Sequence, residues 1–369
     1  MIAKRKWTDI LTIVSGKNQK AVANPDGQYP IYGSGGIMGY ADEYLCEAGT
    51  TIVGRKGTIN NPIFVSERFW NVDTAFGVTP GEELHPKFLY YFCRYFNFKE
   101  LDKSTTIPSL AKRDLLAIEM PVPSLEEQEC IVARIEELFS ELDNGVETLR
   151  KTKQQLAVYR QAVLKDAFAH ITEKKTIREM SSIVTSGSRG WAQYYSDHGA
   201  KFVRIGNLTR DRIFIDLSDI QYVDLPDGAE GKRTQLQPND VLVSITADLG
   251  SIGLVPADIG EAYVNQHIAM IRFLNPAQGE LMAWYLRSDY GQKDLLKNKR
   301  GGGKLGLGLD DIRDSRVPVI TDEEAERILA TIEARMSVCD SIEKTVDTAL
   351  QQAEAMRQSI LKKAFEGDE

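Results

Sequence analysis

The chain has 369 residues, of which 42% are hydrophobic, and a formal net charge of −8. This length and composition predict a globular protein of two or more domains. No apolar run reaches the roughly 20 residues of a membrane helix, and no apolar segment follows the basic start MIAKRKWTDI as it would in a signal peptide. The four scattered cysteines have no metal-ligand spacing. We therefore expect a cytoplasmic protein with reduced thiols, no metal site and no membrane partner.

Residues 1–122 predict an α/β domain. EAGTTIVGRKGTI (47–59) is typical of a strand that ends at a glycine turn, and HPKFLYYFCRYF (85–96) of an aromatic-rich helix. The side chains of this domain that could bind DNA are Tyr32 and Ser34 in YPIYGSGG, Arg55 and Lys56 in VGRKGT, and Lys103. Each of them, taken singly, is also typical of an ordinary surface position.

Residues 123–170 predict a long helix that acts as a spacer. In PVPSLEEQ, the hydroxyl of Ser124 and the carboxylate of Glu127 have the spacing of a capping box, which begins a helix. Apolar residues then recur in steps of three and four, as in a coiled coil. They are Ile131, Ile135, Leu138, Leu142, Val146, Leu149, Leu156, Tyr159 and Val163.

Residues 171–319 predict a second α/β domain, which begins near SGSRGWAQYYSDHGAKFVRIGNL (186–208). Arginine can bind guanine with two hydrogen bonds, asparagine and glutamine can bind adenine, and aromatic rings can stack on bases. The candidate DNA contacts are Arg189, Trp191, Gln193, Tyr194, Tyr195, Arg204 and Asn207. The alternative is that the aromatic residues belong to the core and that Arg189 is a turn residue.

The basic run KNKRGGGKLGLG (297–308) lacks the residue order of a nucleotide-binding phosphate loop. Its Lys299, Arg300 and Lys304, with Lys297, would suit DNA phosphates, or they would form a solvated loop.

Residues 320–369 repeat the long helix. Residues 121–168 align with 318–365 without a gap, and 20 of the 48 positions are identical. The phrase RQAVLKDAF (160–168) returns as RQSILKKAF (357–365). The second apolar seam is Ile328, Ile332, Met336, Cys339, Ile342, Val346, Ala353, Met356 and Ile360. The simplest way to bury both seams is an antiparallel coiled coil of the two helices.

The features upstream of each helix also follow the same order, so the whole unit of α/β domain and helix is written twice. Residues 1–120 carry 14 basic and 13 acidic side chains and residues 171–317 carry 19 of each, so the acidity lies in the helical segments. Near-neutral domains can bind DNA if their basic residues face one side. No motif indicates a nucleophile, a bound metal or a nucleotide. The segment NPIF (61–64) resembles a motif of adenine methyltransferases, but it lacks the second proline of that motif.

The pattern resembles the specificity subunit of type I restriction–modification enzymes. The resemblance rests on PVPSLEEQ, the following IVARIEELFSELD, the repeated RQAVLKDAF and GSRGWAQYYS. It implies two target-recognition domains related by a pseudo-twofold axis, each reading one half of a bipartite, asymmetric double-stranded DNA site. The helices would set the spacer and dock two methylation subunits that modify adenine N6.

The resemblance further implies a non-catalytic chain that holds no cofactor. S-adenosylmethionine, ATP and Mg would be bound by the partner subunits. These are the two methylation subunits and, in systems that include them, two restriction subunits. The alternatives are a two-headed scaffold that binds protein or glycan, and a stand-alone DNA methyltransferase.

Overall fold

The computed structural model of the chain describes residues 3–187, 189–210, 212–226, 234–297, 299 and 306–367. The α-helices in these ranges are α1 (Trp7–Ile10), α2 (Pro86–Tyr95), α3 (Lys112–Leu116), α4 (Leu125–Phe168), α5 (Ile177–Met180), α6 (Gly279–Arg287), α7 (Asp289–Leu295), α8 (Leu309–Arg313) and α9 (Asp322–Glu366).

The strands of the first half are β1 (Lys4–Lys6), β2 (Leu11–Ser15), β3 (Tyr29–Gly33), β4 (Gly36–Ala41), β5 (Thr50–Gly54), β6 (Ile63–Val65), β7 (Trp70–Asn71), β8 (Ala75–Pro80) and β9 (Glu119–Pro121). Those of the second half are β10 (Lys174–Thr176), β11 (Ser181–Ser186), β12 (Tyr195–Ser196), β13 (Ala200–Val203), β14 (Gln221–Val223), β15 (Val241–Ser244), β16 (Ile252–Leu254), β17 (Ala262–Val264), β18 (Ile268–Phe273) and β19 (Arg316–Pro318).

The chain divides into two compact units. The first comprises residues 1–151 and 346–369, and the second comprises residues 152–345. Each unit therefore holds one globular domain, one half of α4 and one half of α9. The four domain and spacer ranges given above stay a prediction, since this division cuts both long helices in the middle.

The main sheets of the two globular domains have the same strand order, and the second sheet of the second domain has one additional strand, β12. The main sheet is β2-β8-β5-β6 in the first domain and β11-β18-β15-β16 in the second. A second sheet has the order β4-β3-β7 in one domain and β12-β14-β13-β17 in the other, and each contains a parallel pair, β3 with β7 and β13 with β17. A two-stranded ribbon, β1-β9 or β10-β19, completes each domain. The predicted repeat of an α/β domain followed by a long helix is confirmed.

Each domain buries its main sheet with short β-branched strands and one aromatic helix. The strand β5 has the sequence TTIVG, and all five of its residues are buried. Its Thr, Ile and Val side chains are β-branched, so they favour an extended backbone. The helix α2 packs against this sheet with Phe88 and Leu89, and α6 packs in the same way with Leu281 and Tyr285.

The long helix α4 begins at the predicted capping box. The Ser124 hydroxyl accepts from the Glu127 amide at 3.3 Å, and the Glu127 carboxylate accepts from the Ser124 amide at 2.9 Å. The hydrogen bonds that the carboxylate accepts from the Ser124 amide and the Ser124 hydroxyl, each at 2.9 Å, hold the pKa of Glu127 below its ordinary value. At the start of α9, Thr321 accepts from the Glu324 amide at 3.3 Å in the same way.

Within each unit the two long helices run antiparallel and join the core of the globular domain. In the first unit, the start of α4 meets the end of α9, with Ile135 and Phe139 in one cluster with Leu361 and Phe365. In the second unit, the end of α4 meets the start of α9 in a cluster with the domain. Its helical members are Val163, Leu164, Phe168, Ala325, Ile328, Ile332 and Met336.

The repeated nine-residue phrase has the same contacts in both copies. Its arginine binds the aspartate of the other helix: Arg160 contacts Asp340 at 2.5 Å, and Arg357 contacts Asp143. Its last residue enters a domain core, where Phe168 lies 5.2 Å from the ring of Tyr285 and Phe365 lies 5.1 Å from the ring of Phe88. In both copies, the repeated segment therefore connects the end of its helix to the other long helix and to a globular domain.

The apolar seam predicted from the sequence is partly wrong. The buried members are Ile135, Leu156, Val163, Ile328, Ile332, Met336, Cys339, Val346 and Ala353, and the partly buried ones are Ile131, Leu138, Leu142, Val146, Leu149 and Ile360. Tyr159, Ile342 and Met356 are 48%, 40% and 54% exposed, so they do not belong to the seam. The prediction followed a two-helix seam, whereas each helix also packs on a domain, and that contact buries Val132, Phe139, Leu164 and Leu361 instead.

Candidate nucleic-acid interface

Four loops of the first domain are joined at one end of its sheets. We call residues 16–18, 55–58, 72–74 and 102–110 the first loop end. The backbone hydrogen bonds that join these loops run from Lys17 N to Asn71 O (2.9 Å), from Arg55 N to Thr74 O (2.8 Å), from Gly57 N to Pro108 O (2.9 Å) and from Leu110 N to Arg55 O (2.9 Å). The loops therefore form one connected surface.

The second domain builds the equivalent surface. We call residues 187, 189–190, 245–250, 265–267 and 306–308 the second loop end. The joining hydrogen bonds run from Ile245 N to His267 O (3.0 Å), from Leu307 N to Ile245 O (3.0 Å) and from Asn265 N to Val203 O (3.1 Å). Lys56 bridges to Ser109 in the first domain as Thr246 bridges to Gly306 in the second. The same loops thus meet twice.

Both loop ends begin at a serine–glycine pair, Ser15-Gly16 and Ser186-Gly187. A Cβ atom on Gly16 would lie 1.8 Å from the carbonyl oxygen of Val72, and one on Gly187 would lie 1.9 Å from that of Val264. Only glycine allows the backbones to approach so closely. This shared pair is a signal in the sequence that aligns the two domains at the start of their loop ends.

The first loop end carries exposed cations. Lys17 and Lys56 are exposed, and Lys103 is 74% exposed although it contacts Asp114 at 3.2 Å. Arg55 is partly buried, with its guanidinium 5.8 Å from the ring of Phe76. Three of the predicted contacts, Arg55, Lys56 and Lys103, therefore lie on this one surface.

The loop that carries Lys103 is held by one carboxylate. Asp102 accepts hydrogen bonds from the Ser104 hydroxyl at 2.6 Å, the Ser104 amide at 3.0 Å and the Ser109 amide at 3.1 Å. These bonds favour the ionised form and hold the pKa of Asp102 below its ordinary value. The loop is therefore fixed by Asp102 at neutral pH, and this contribution is lost as the pH falls through the lowered pKa.

The second loop end presents Arg189, which is exposed. Among the described residues we find no hydrogen bond or ion pair for its guanidinium. His267 is oriented in the same surface by Thr246, whose hydroxyl lies 2.9 Å from Nδ1. Lys299 is exposed nearby in the chain, and the predicted contacts Arg300 and Lys304 lie outside the described residues.

Two of the residues predicted to contact DNA are structural, which corrects the expectation. Trp191 is 6% exposed and its ring stacks on Phe202 at 5.5 Å. Asn207 is 4% exposed, and its amide group accepts from Arg204 N at 2.8 Å and donates to Asp216 O at 2.8 Å. The buried ring of Trp191 therefore has no free face to stack on a base, and the Asn207 amide, whose hydrogen-bonding groups all have partners, has no free donor for one.

The neighbouring candidates differ in exposure. Gln193 and Tyr195 are exposed, while Tyr194 is partly buried against the cluster that contains Trp191. Arg204 lies at the end of β13 and lines a polar cavity of about 420 Å³ with Asp219, whose carboxylate is 4.0 Å from the guanidinium. Arg204 therefore already has an acidic neighbour, whereas Arg189 has none in the described part of the chain.

Tyr32 and Ser34 lie on and just after β3, in the hairpin that leads into β4. Both are partly buried. The ring of Tyr32 meets that of Phe69 edge-on at 5.5 Å, and burial, with a smaller effect of Glu67, raises the pKa of its hydroxyl.

The described residues contain no group of three or more His, Cys, Asp or Glu side chains that could hold a metal ion. Of the four cysteines, which are all free, Cys46, Cys93 and Cys339 are buried and Cys130 is exposed. In the described ranges no helix has the length and apolar character needed to cross a bilayer.

Comparison with known proteins identifies relatives along most of the chain. Residues 2–156 match the type I restriction modification DNA specificity domain. The EcoBI specificity subunit of Escherichia coli is 25% identical over 354 residues, which cover 86% of this chain and 73% of that relative. The EcoKI specificity subunit of Escherichia coli strain K12 is 26% identical over 273 residues, covering 68% and 58% respectively.

Solved structures share the fold. One chain, from a structure of a type I R-M system, has a TM-score of 0.75 and 16% sequence identity. The match covers 100% of this chain and 98% of that chain. The HsdS subunit from Thermoanaerobacter tengcongensis has a TM-score of 0.52 and 16% sequence identity. The match covers 100% of this chain and 97% of that subunit. Residues 2–156 therefore match a type I restriction modification DNA specificity domain, and the chain is similar to specificity subunits of type I restriction enzymes along most of its length.

Proposed function

We propose that this chain is the DNA-recognition subunit of a type I restriction–modification complex and that each loop end reads one half of a bipartite site. The observation that carries the proposal is the duplicated loop end. Two domains of the same topology join the same loops by equivalent backbone hydrogen bonds, while the side chains on those loops differ. Equal scaffolds with unequal side chains suit two half-sites of different sequence.

The charges on the loop ends suit a nucleic acid. Lys17, Lys56 and Lys103 would contact phosphates in one half-site, and Lys299 with the neighbouring basic run would do so in the other. Arg189 is exposed and has the donor geometry to bind a guanine edge. The other exposed candidates, Gln193 and Tyr195, lie within a few residues of it.

The long helices carry the second part of the proposal, in which they fix the spacer between the half-sites and dock two methylation subunits. In the second unit Tyr159, Val338 and Ile342 are exposed apolar side chains on the two helices, and in the first unit Met356 is one. Val338 and Ile342 are four residues apart and so lie on one face of α9, and contiguous exposed apolar side chains are typical of surfaces that bind another protein. S-adenosylmethionine, ATP and Mg would then act on the partner subunits, and this chain would take no catalytic part.

The salt dependence of binding tests this function. The chain would be purified with its methylation subunit, and its affinity for random-sequence duplexes would be measured between about 50 and 200 mM salt. Six or more phosphate contacts predict a loss of roughly a thousandfold over that range. Binding to a protein or glycan that is insensitive to salt, without binding to DNA, would favour the scaffold instead. Binding of S-adenosylmethionine by the isolated chain would favour a stand-alone methyltransferase.

A further inference from the structure

The hairpin between β3 and β4 exposes large apolar side chains at the surface of the first domain. Ile37 is 56% exposed, Met38 is 63% exposed and Tyr40 is 45% exposed. The hairpin sequence GSGGIMGY (33–40) contains four glycines and two adjacent aliphatic residues. Neither the family match nor the loop hydrogen bonds described above gives these two side chains a role.

A bulge in the hairpin accounts for the exposure of both neighbours. Ile31 lies opposite Gly39 and Tyr32 lies opposite Ile37, so Met38 is an extra residue in β4. In a regular strand, adjacent side chains point to opposite faces of the sheet. A bulge re-aims a side chain and bends the strand, and here it leaves Ile37 and Met38 both unburied.

The tip of the hairpin is free of the rest of the domain, while at its base the Met38 sulfur lies over Gly33, 2.6 Å from the place of a Cβ atom on that glycine. A Cβ atom built on Gly35, Gly36 or Gly39 would meet no atom within 4 Å. Gly36 has a φ of +124°, a conformation that favours glycine and allows the tight reversal. The turn therefore projects into solvent and can enter a groove of another molecule.

The turn also lies at the same end of the sheet as the first loop end. The strands β3 and β7 are parallel, with Tyr32 opposite Asn71, and Val72 N donates to Tyr32 O at 2.9 Å. Because parallel strands finish at the same edge, the turn after β3 lies beside residues 72–74, which belong to the first loop end. The exposed Lys17 is bonded to Asn71 on that same edge.

We propose that Ile37 and Met38 form an apolar wedge that enters between two bases of the half-site read by the first domain and partly unstacks that step. This rests on the proposed function. A two-stranded ribbon fits a DNA groove, and apolar side chains inserted between base steps kink the duplex. The cations of the neighbouring loops, Lys17 and Lys56, favour a nucleic acid over an apolar protein surface as the occupant. The wedge lets the first domain select a deformable step without hydrogen bonds to its bases.

The test uses the full chain in complex with its methylation subunits and a duplex that carries the mapped methylation site. 2-Aminopurine, which brightens when it is unstacked, replaces each base of both halves in turn, apart from the methylated adenines. We expect a severalfold rise in fluorescence at one base step of the half-site that the first domain reads. Because Arg189 lies in the second domain, this is the half-site whose recognition Arg189→Ala leaves unchanged. The double variant Ile37→Ala/Met38→Ala should abolish this rise and weaken binding by about tenfold.

Leu274→Ala provides the control, because Leu274 is 65% exposed and lies in the second unit. It should change neither the fluorescence nor the affinity, and all variants should keep the melting temperature of the wild type. If the wild type selects the site but no step brightens, or if the double variant still brightens, the wedge is wrong and the proposed function stands.

Two further outcomes would also overturn the wedge. A double variant that brightens normally but no longer retains the methylation subunits would make the hairpin a protein-docking element. A wild-type complex that selects no duplex at all would refute the wedge and the proposed function together.

Discussion

Arginine side chains of this protein differ in burial and in their acidic partners. Arg272 is 19% exposed and forms an ion pair with the buried Asp240 at 2.6 Å, so it stabilises the second domain. Arg189 is exposed on the second loop end. An exposed guanidinium without an acidic partner in the described residues keeps all of its donors for a ligand.

The first prediction is at the residue scale and concerns Arg189→Ala. If Arg189 binds a base, the variant should weaken binding to the cognate site by about 1 to 3 kcal/mol and should scarcely change binding to random duplexes. Equilibrium binding to the two kinds of duplex at one salt concentration measures this difference. Arg316→Ala is the control, because Arg316 is also exposed but lies on β19. Equal loss on both duplexes would make Arg189 a phosphate contact.

The sequence was a fair guide to which residue types could bind DNA and a poor guide to their exposure. Arg189 is predicted to contact DNA because arginine can bind guanine, and it is exposed. Trp191 packs against Phe202 and against Tyr263 of β17, and Asn207 donates to the carbonyl oxygens of Asp216 and Asp219. Such contacts depend on tertiary packing, which the local sequence does not contain.

At the scale of elements, the two long helices were the most predictable part of the molecule. The capping box at Ser124 and the three-and-four periodicity predicted a start and a length that the structure confirms in α4. The buried face was less predictable, because Phe139 and Leu164 face a globular domain and the partner helix together. Periodicity identifies a stripe but does not reveal how many neighbours cover it.

Arg160→Ala should destabilise the second unit. The side chain of Arg160 is 16% exposed and contacts Asp340 at 2.5 Å and Glu343 at 2.8 Å. Loss of charged hydrogen bonds in a partly buried place should lower the free energy of unfolding by about 1 to 2 kcal/mol. Urea denaturation measures this change, and Arg150→Ala, at an exposed position of the same helix, should cost less than about 0.5 kcal/mol. Equal losses would show that the ion pairs do not stabilise the helix pair.

Tyr159→Glu should impair docking of the methylation subunit without unfolding the chain. Tyr159 is 48% exposed, and the contacts of Arg160 set this turn of α4 opposite the part of α9 that exposes Ile342. A charge there would be desolvated by a protein partner. The measurement is recovery of the co-expressed methylation subunit. Ala157→Glu is the control, since this exposed neighbour with a small side chain points about 160° away around the helix. Full recovery with Tyr159→Glu would place the docking surface elsewhere.

The whole molecule is one unit of domain and helix written twice. The identical positions in residues 121–168 and 318–365 predicted this repeat, and the matching strand orders confirm it. The loop ends were harder to predict, because Lys17, Arg55 and Asp102 are far apart in sequence and are brought together only by the sheets. The bulge at Met38 likewise has no local signal beyond its glycines.

Insertion of one heptad into both long helices tests the spacer. The insertions would follow residues 152 and 349, which are equivalent at the offset of 197 positions that aligns the two copies. Seven residues lengthen a helix by about 10 Å, or roughly three base pairs of DNA. We expect the methylated site to keep both half-sites and to change their separation. An unchanged separation would refute the idea that the helices act as a ruler.

The most direct test of the account is a map of N6-methyladenine across the genome of a host that expresses the methylation subunit with or without this chain. Single-molecule sequencing supplies the map. The account predicts a bipartite, asymmetric motif with one fixed spacer, which is absent when the chain is absent. A continuous motif, or the same motif without the chain, would contradict the claim that the two loop ends select the DNA site.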